Sequence, residues 1–111
     1  MRTPSELGAA LLYCRGATMY SIWAQQEVCA ERAGALGYSV GQMIVEFVDG
    51  RGDGRKLPMV RELIRSGRFA ALVVSEPPVL TGDRQTLDAI RAECRQAGAR
   101  LAFVHDDTPP A

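Results

Sequence analysis

The sequence is short of the residues that usually announce chemistry. Its cysteines, Cys14, Cys29 and Cys94, are odd in number and far apart, with no C-x-x-C pair. That spacing signals neither a disulfide framework nor a zinc site, and it reads as buried, inert thiols. Aromatic residues make up only 6% of the chain, with one tryptophan, and the single histidine, His105, has no partner in sequence for metal or triad chemistry. There is no net charge, because 13 Lys and Arg balance 13 Asp and Glu. No global field therefore steers the chain to nucleic acid. No apolar run approaches the roughly 20 residues that span a bilayer, and the opening "MRTPSELGAALLYC" enters a strand-like segment without a separate cleavable apolar region. A cytoplasmic location is the expectation, with no cofactor and no membrane.

What remains is an ordinary domain composition, 47% hydrophobic and 23% charged over 111 residues. That length buries one core but not two. The expectation is a single domain over residues 1–107 and a polar, proline-bearing flexible tail at 108–111. Residues 7–13 form a short apolar run and predict a strand. Over 21–37, Ile22, Cys29, Ala33 and Leu36 recur near helical spacing among polar residues, and Gly37 is placed to end that helix. The pattern returns twice. A strand at 43–48, a helix at 58–66 with Val60, Leu63 and Ile64 inward, and a doubly apolar strand at 69–74 come next. A third helix capped by Asp83 carries Leu87, Ile90, Cys94 and Ala97 on one stripe, and "RLAFV" closes as strand four. Three strand-helix units and a closing strand predict an α/β three-layer sandwich, its mainly parallel four-stranded sheet covered by helices on both faces. Functional loops then lie at the carboxyl ends of the strands, at 14–21, 49–56, 75–83 and 105–108.

The "GRGDGRK" loop excludes more than it offers. A phosphate-binding P-loop needs G-x-x-x-x-G-K-[ST], but Arg55 and Leu57 bracket the only lysine, Lys56. A calcium loop fails as well: Asp49, Asp53 and Gly54 fit, but Arg51 stands at a ligand position and Val60 where a bidentate Glu belongs. Arg51-Gly52-Asp53 acts as an adhesion motif only outside the cell. Arg61, Arg65 and Arg68 share a helical face. With Arg51, Arg55 and Lys56 they form either a local basic patch or a solvated face partly neutralised by Asp49, Asp53 and Glu62. Trp23 reads as a partly buried packing residue or as a binding aromatic.

In order and spacing, these segments resemble the catalytic domain of the serine recombinases, the resolvase and invertase family. The family's first-strand signature, Tyr-x-Arg-Val-Ser-Thr, carries the serine that attacks a DNA phosphate. This chain reads Tyr13-Cys14-Arg15-Gly16-Ala17-Thr18. "SIWAQQEVCAERAGALGYSV" is similar to the family's first helix, with Gln25 at its glutamine, Asp49 matches the acid ending strand two, and Pro58 matches the proline of the Arg-Pro pair. The resemblance covers roughly residues 9–107 and implies a resolvase-like, flavodoxin-like architecture.

The departures fall on the chemistry. Ala17 replaces the nucleophile, Asp53-Gly54 replaces Ser-Gly, and Leu57 replaces the arginine before the proline. Pro78, Val79, Leu80, Thr81 and Gly82 stand where the family has Asp-Arg-Leu-Ser-Arg. Covalent phosphoryl transfer needs a nucleophile and several guanidinium groups around a phosphate whose charge grows. Of that arginine cluster only Arg15 survives. Thr18, Ser21 and Cys14 make poor substitutes, since a one-residue shift at a strand end turns the side chain away. The catalytic set is therefore expected to be degenerate at Arg15, Ala17, Asp49 and Asp53. Binding contacts are expected at Arg15, Arg51, Arg55, Lys56, Val79 and Leu80, with Val79 and Leu80 forming an exposed apolar partner surface or else packing under the third helix. The family's DNA-reading domain and its long connecting helix are expected to have no counterpart after Phe103. The resulting reading is a binding or assembly module, self-associating or joined to a protein partner, with weak and unspecific nucleic-acid contact at most. A nucleotide or anion binder and a functionless mobile-element remnant are the alternatives.

Overall fold

The computed structural model describes residues 7–48 and 54–105. Four strands, β1 (Ala9–Gly16), β2 (Ser39–Phe47), β3 (Ala71–Val74) and β4 (Arg100–Phe103), form one parallel sheet in the order β2-β1-β3-β4. The helices are α1 (Met19–Leu36), α2 (Leu57–Arg65), the short α3 (Pro77–Leu80) and α4 (Arg84–Ala97).

Strand alternation sorts the core into two layers. Ala10 and Leu12 of β1, with Ala71 and Val73 of β3, pack on Cys29 and Ala33 of α1. Leu11, Tyr13, Leu72 and Val74 turn the other way, onto Val60 and Ile64 of α2 and Ile90 and Cys94 of α4. The sheet is thus covered on both faces, as the apolar run at 69–74 predicts. Burial of each large side chain here contributes about 1.5–3 kcal/mol. Gly37 ends α1 at φ 97°, a left-handed position, and donates its amide back to the last turn.

Three boundaries differ from expectation. β1 runs on to Gly16, and β2 begins at Ser39, because these positions are held by backbone pairing and carry little apolar signal. The segment after β3 is one helical turn and not an open loop: Pro77 and Pro78 suit the first helical positions, whose amides have no intrahelical acceptor. Strand order reverses between β1 and β3, since α1 leads outward to β2 while α2 crosses back to β3. In open parallel sheets ligand crevices form at such a switch point, which here is flanked by the β1–α1 loop and α3.

Candidate functional site

Arg15 stands at the mouth of this crevice, near the end of β1. Its Nη2 donates to the Pro78 carbonyl of α3 at 3.4 Å, which ties the two sides of the switch together. The loop beyond it is fixed by Gln25, which is buried in α1. Gln25 Oε1 accepts the Arg15 amide at 2.9 Å, and its Nε2 donates to the Arg15 carbonyl at 2.8 Å and to Ser21 Oγ at 3.1 Å. Gly16 makes room for this: a Cβ there would come within 2.6 Å of Ser21 Oγ. The Gln25→Ala variant should lose about 1–3 kcal/mol of stability in urea denaturation, because it orphans a backbone amide and carbonyl that are half-buried.

Ala17 is exposed in that loop, a methyl group where the resemblance places a nucleophile. The neighbouring oxygens are already engaged. Thr18 Oγ1 caps α1 by accepting the Ser21 amide at 3.1 Å, Ser21 Oγ accepts from Gln25, and Cys14 is buried in β1. Cys29 and Cys94 are buried free thiols as well.

A second knot lies on the α2 face and had no place in the sequence reading. Glu46, 6% exposed near the end of β2, accepts the Tyr13 hydroxyl at 3.0 Å, the Arg55 amide at 2.5 Å and the Lys56 amide at 2.9 Å. Gly54 packs so tightly on the Tyr13–Glu46 pair that any Cβ would collide with both. Burial pushes the Glu46 carboxyl up, but the Lys56 amide, the Tyr13 hydroxyl, the Arg55 amide and the Arg15 guanidinium together hold it below its ordinary value. Burial, then the hydrogen bond and charge of Glu46, drive the Tyr13 hydroxyl far above its usual 10.0. The signal was present in the sequence: Glu46 follows Ile44 on the inward register of β2, and a lone carboxylate there demands partners.

Several expected contacts are rearranged. Leu80 is fully buried and Val79 packs half-buried on the same cluster, so the pair is core and not an exposed partner surface. The one-turn helix α3 directs Leu80 beneath the sheet's carboxyl edge, and Leu57 is buried in the same cluster. Trp23, by contrast, is 57% exposed and meets Tyr20 edge-on at 6.4 Å, so it is a surface aromatic and not a packing one. The basic face of α2 is paired: Arg61 grips Glu93 of α4 with two bonds of 2.9 and 2.6 Å, and Arg65 meets Glu62 at 2.9 Å. Arg68 is exposed, Arg55 presents its backbone amide to Glu46, and Lys56 Nζ donates to the Val45 carbonyl at 2.8 Å. Gly54, Leu57, Pro58, Arg61, Arg65 and Thr86 line an open cleft of about 400 Å³ between α2 and α4. Asp49, Arg51 and Asp53 lie outside the described residues. Among the described residues no cluster of His, Cys, Asp or Glu is placed to hold a metal, and no helix is long and apolar enough to cross a membrane.

Neither a protein-family model nor a curated protein matches the sequence. The fold does have solved counterparts. The C-terminal catalytic domain of ISC1926 TnpA, an IS607-like serine recombinase, superposes with a TM-score of 0.76 at 17% identity, over 92% of this chain and 71% of that one. A serine recombinase from Sulfolobus solfataricus gives 0.70 at 14% identity, over 92% and 71%. The N-terminal catalytic domain of TP901-1 integrase gives 0.70 at 18%, over 86% and 76%. The chain therefore has the α/β fold of serine recombinase catalytic domains.

Proposed function

We propose that this chain is a catalytically inactive serine-recombinase-like domain that works as a binding or assembly module, accessory to DNA recombination in the cytoplasm. The observation that carries this reading is the state of the crevice. Ala17 offers no oxygen for attack, and the nearby arginine, Arg15, is tied to a backbone carbonyl of α3. A carbonyl oxygen carries partial negative charge and opposes a phosphate at that spot. Three buried free thiols support a reducing compartment.

The loop-based anion binder is the weaker reading. The amides of Arg55 and Lys56, which would cradle an anion, already hold the Glu46 carboxylate. Phosphate contacts are also few, because Arg61 and Arg65 are engaged by Glu93 and Glu62. Two measurements test the proposal. Incubation with supercoiled plasmid should give no covalent protein–DNA adduct, and an adduct would refute inactivity. Fluorescence anisotropy should give salt-sensitive, unspecific DNA binding with Kd of order 10⁻⁴ to 10⁻⁶ M at physiological salt. Sub-micromolar, sequence-selective binding would defeat the assembly reading in favour of direct DNA recognition.

A further inference from the structure

The outer edge of β2 is apolar on one face and unpaired among the described residues. The Val48 amide donates to the Gly16 carbonyl of β1 at 3.1 Å, so by the two-residue period of a strand the amides of 42, 44 and 46 also turn toward β1. Met43, Val45 and Phe47 therefore direct their amides and carbonyls away from the sheet. Among the described residues no strand pairs with that edge. The same three residues place their side chains on the α1 face, opposite to Ile44, and Phe47 is 56% exposed. An open edge of this kind is normally guarded by proline, inward-pointing charge or a bulge. Here "SVGQMIVEF" has no proline and no lysine, its one charge is consumed by Tyr13 and the Arg55 and Lys56 amides, and its irregularity sits early, at Gly41. Among the described residues the guard on the apolar half is Lys56, whose Nζ covers the Val45 carbonyl.

We infer that this edge pairs with the β2 edge of a second copy of the chain, antiparallel about a two-fold axis at Val45. A hydrogen-bonded antiparallel pair exchanges both N–H···O bonds between facing residues. Centring the axis on Val45 sets Val45 against its symmetry mate, and Met43 against the partner's Phe47. The facing pairs on the α1 face are then apolar, which is the pairing that stabilises adjacent strands. On the other face Ile44 stands against the partner's Glu46, whose carboxylate stays within its own chain's bonds to Tyr13 and the Arg55 and Lys56 amides. The axis stands perpendicular to the sheet, so each α1 stays on the same face as its mate. Tyr20, 82% exposed, and Trp23 rise at the same end of that face as Phe47, since α1 opens just after the Gly16 that pairs with Phe47. The surface carries no charge excess that would favour nucleic acid as the occupant, and a second copy brings the same apolar edge and the same free amides and carbonyls to a closed, isologous contact. The pairing deepens the assembly half of the proposed function and rests on that reading.

Sedimentation equilibrium of the full chain tests it. The weight-average mass should rise with concentration from 12.0 kDa toward twice that value. Val45→Pro removes an amide that β1 does not use, so it should keep the circular dichroism of the parent and lose the concentration dependence. Lys56→Ala removes the competitor for the Val45 carbonyl and should tighten association a few-fold. A parent that stays monomeric, a Val45→Pro variant that still dimerises, or a Lys56→Ala variant that does not associate more tightly overturns the inference. If Val45→Pro unfolds, Phe47→Lys decides the matter: loss of the dimer supports edge pairing, and retention overturns it. A covalent adduct on plasmid DNA would sink the inactive reading while leaving these masses to be judged independently.

Discussion

The Ala17→Ser variant is expected to leave supercoiled plasmid uncut and to form no covalent adduct. The variant restores a hydroxyl in an exposed loop, where Gln25 already fixes the neighbouring backbone. It restores nothing that would hold the phosphate. Transfer through a serine ester concentrates charge on the non-bridging oxygens, and the electrostatic part of the catalysis comes from guanidinium groups aimed at them. In this crevice Arg15 points at the Pro78 carbonyl, and α3 fills the far side with Pro77, Pro78 and the buried Leu80. Members of a catalytic unit are strongly non-additive: losing one can cost about as much as losing all, near 10⁶ in rate for a serine hydrolase. If the site is inactive as proposed, replacing one member of the set recovers almost none of the deficit. The reaction is quenched in detergent and resolved on a denaturing gel. A band of protein shifted by attached DNA would show that the rest of the site is still competent.

Strand alternation and helical stripes made the layers legible, because burial on a sheet face leaves a period in the sequence. The stripe of Leu87, Ile90, Cys94 and Ala97 does pack inward, with Asp83 capping the helix through the Thr86 amide at 3.0 Å. What periodicity does not carry is the partner of a polar side chain. The face of Arg61, Arg65 and Arg68 leaves open a basic patch or a neutralised one; Glu62 does pair with Arg65, but the bidentate partner of Arg61, Glu93, is 32 residues away and reaches it only because α2 and α4 pack side by side. Between the two readings of Leu80, exposed or packed under the third helix, the sequence does not decide, for a related reason. Four apolar residues in "PPVL" show no period, and only the turn of α3 decides that Leu80 goes inward. For Trp23, read as packing or as a binding aromatic, exposure excludes the packing reading, since it sits beside Ile22 on the helix but one step off the buried face. That Ala17 stands where the resemblance places the serine is legible from the motif alone, whereas the tie between Arg15 and α3 needs the fold.

Removing the Glu46 carboxylate should be the most destabilising single change at the strand ends. Glu46→Ala strands a buried tyrosine hydroxyl and the Arg55 and Lys56 amides. Breaking a buried charged network by deleting one partner costs about 3–5 kcal/mol. For a domain near this size that lowers Tm by roughly 10–25 °C. Glu46→Gln keeps the shape and one acceptor, so it should cost less, about 1.5–3 kcal/mol, the range of a hydrogen bond to a charged group. The pH dependence separates charge from shape. The folded carboxyl titrates below its ordinary 4.5, so its contribution is complete above that value and is lost as pH falls through the folded pKa. Tyr13 shifts the other way. Its folded hydroxyl holds its proton above the usual 10.0, so its contribution is present below that value and declines as pH rises beyond it. Urea denaturation of the parent and of Glu46→Gln should therefore differ by a constant amount at neutral pH, and the gap should close on acidification below 4.5. A gap that does not change with pH would mean that the knot is held by shape, and that the charge of Glu46 contributes nothing to it.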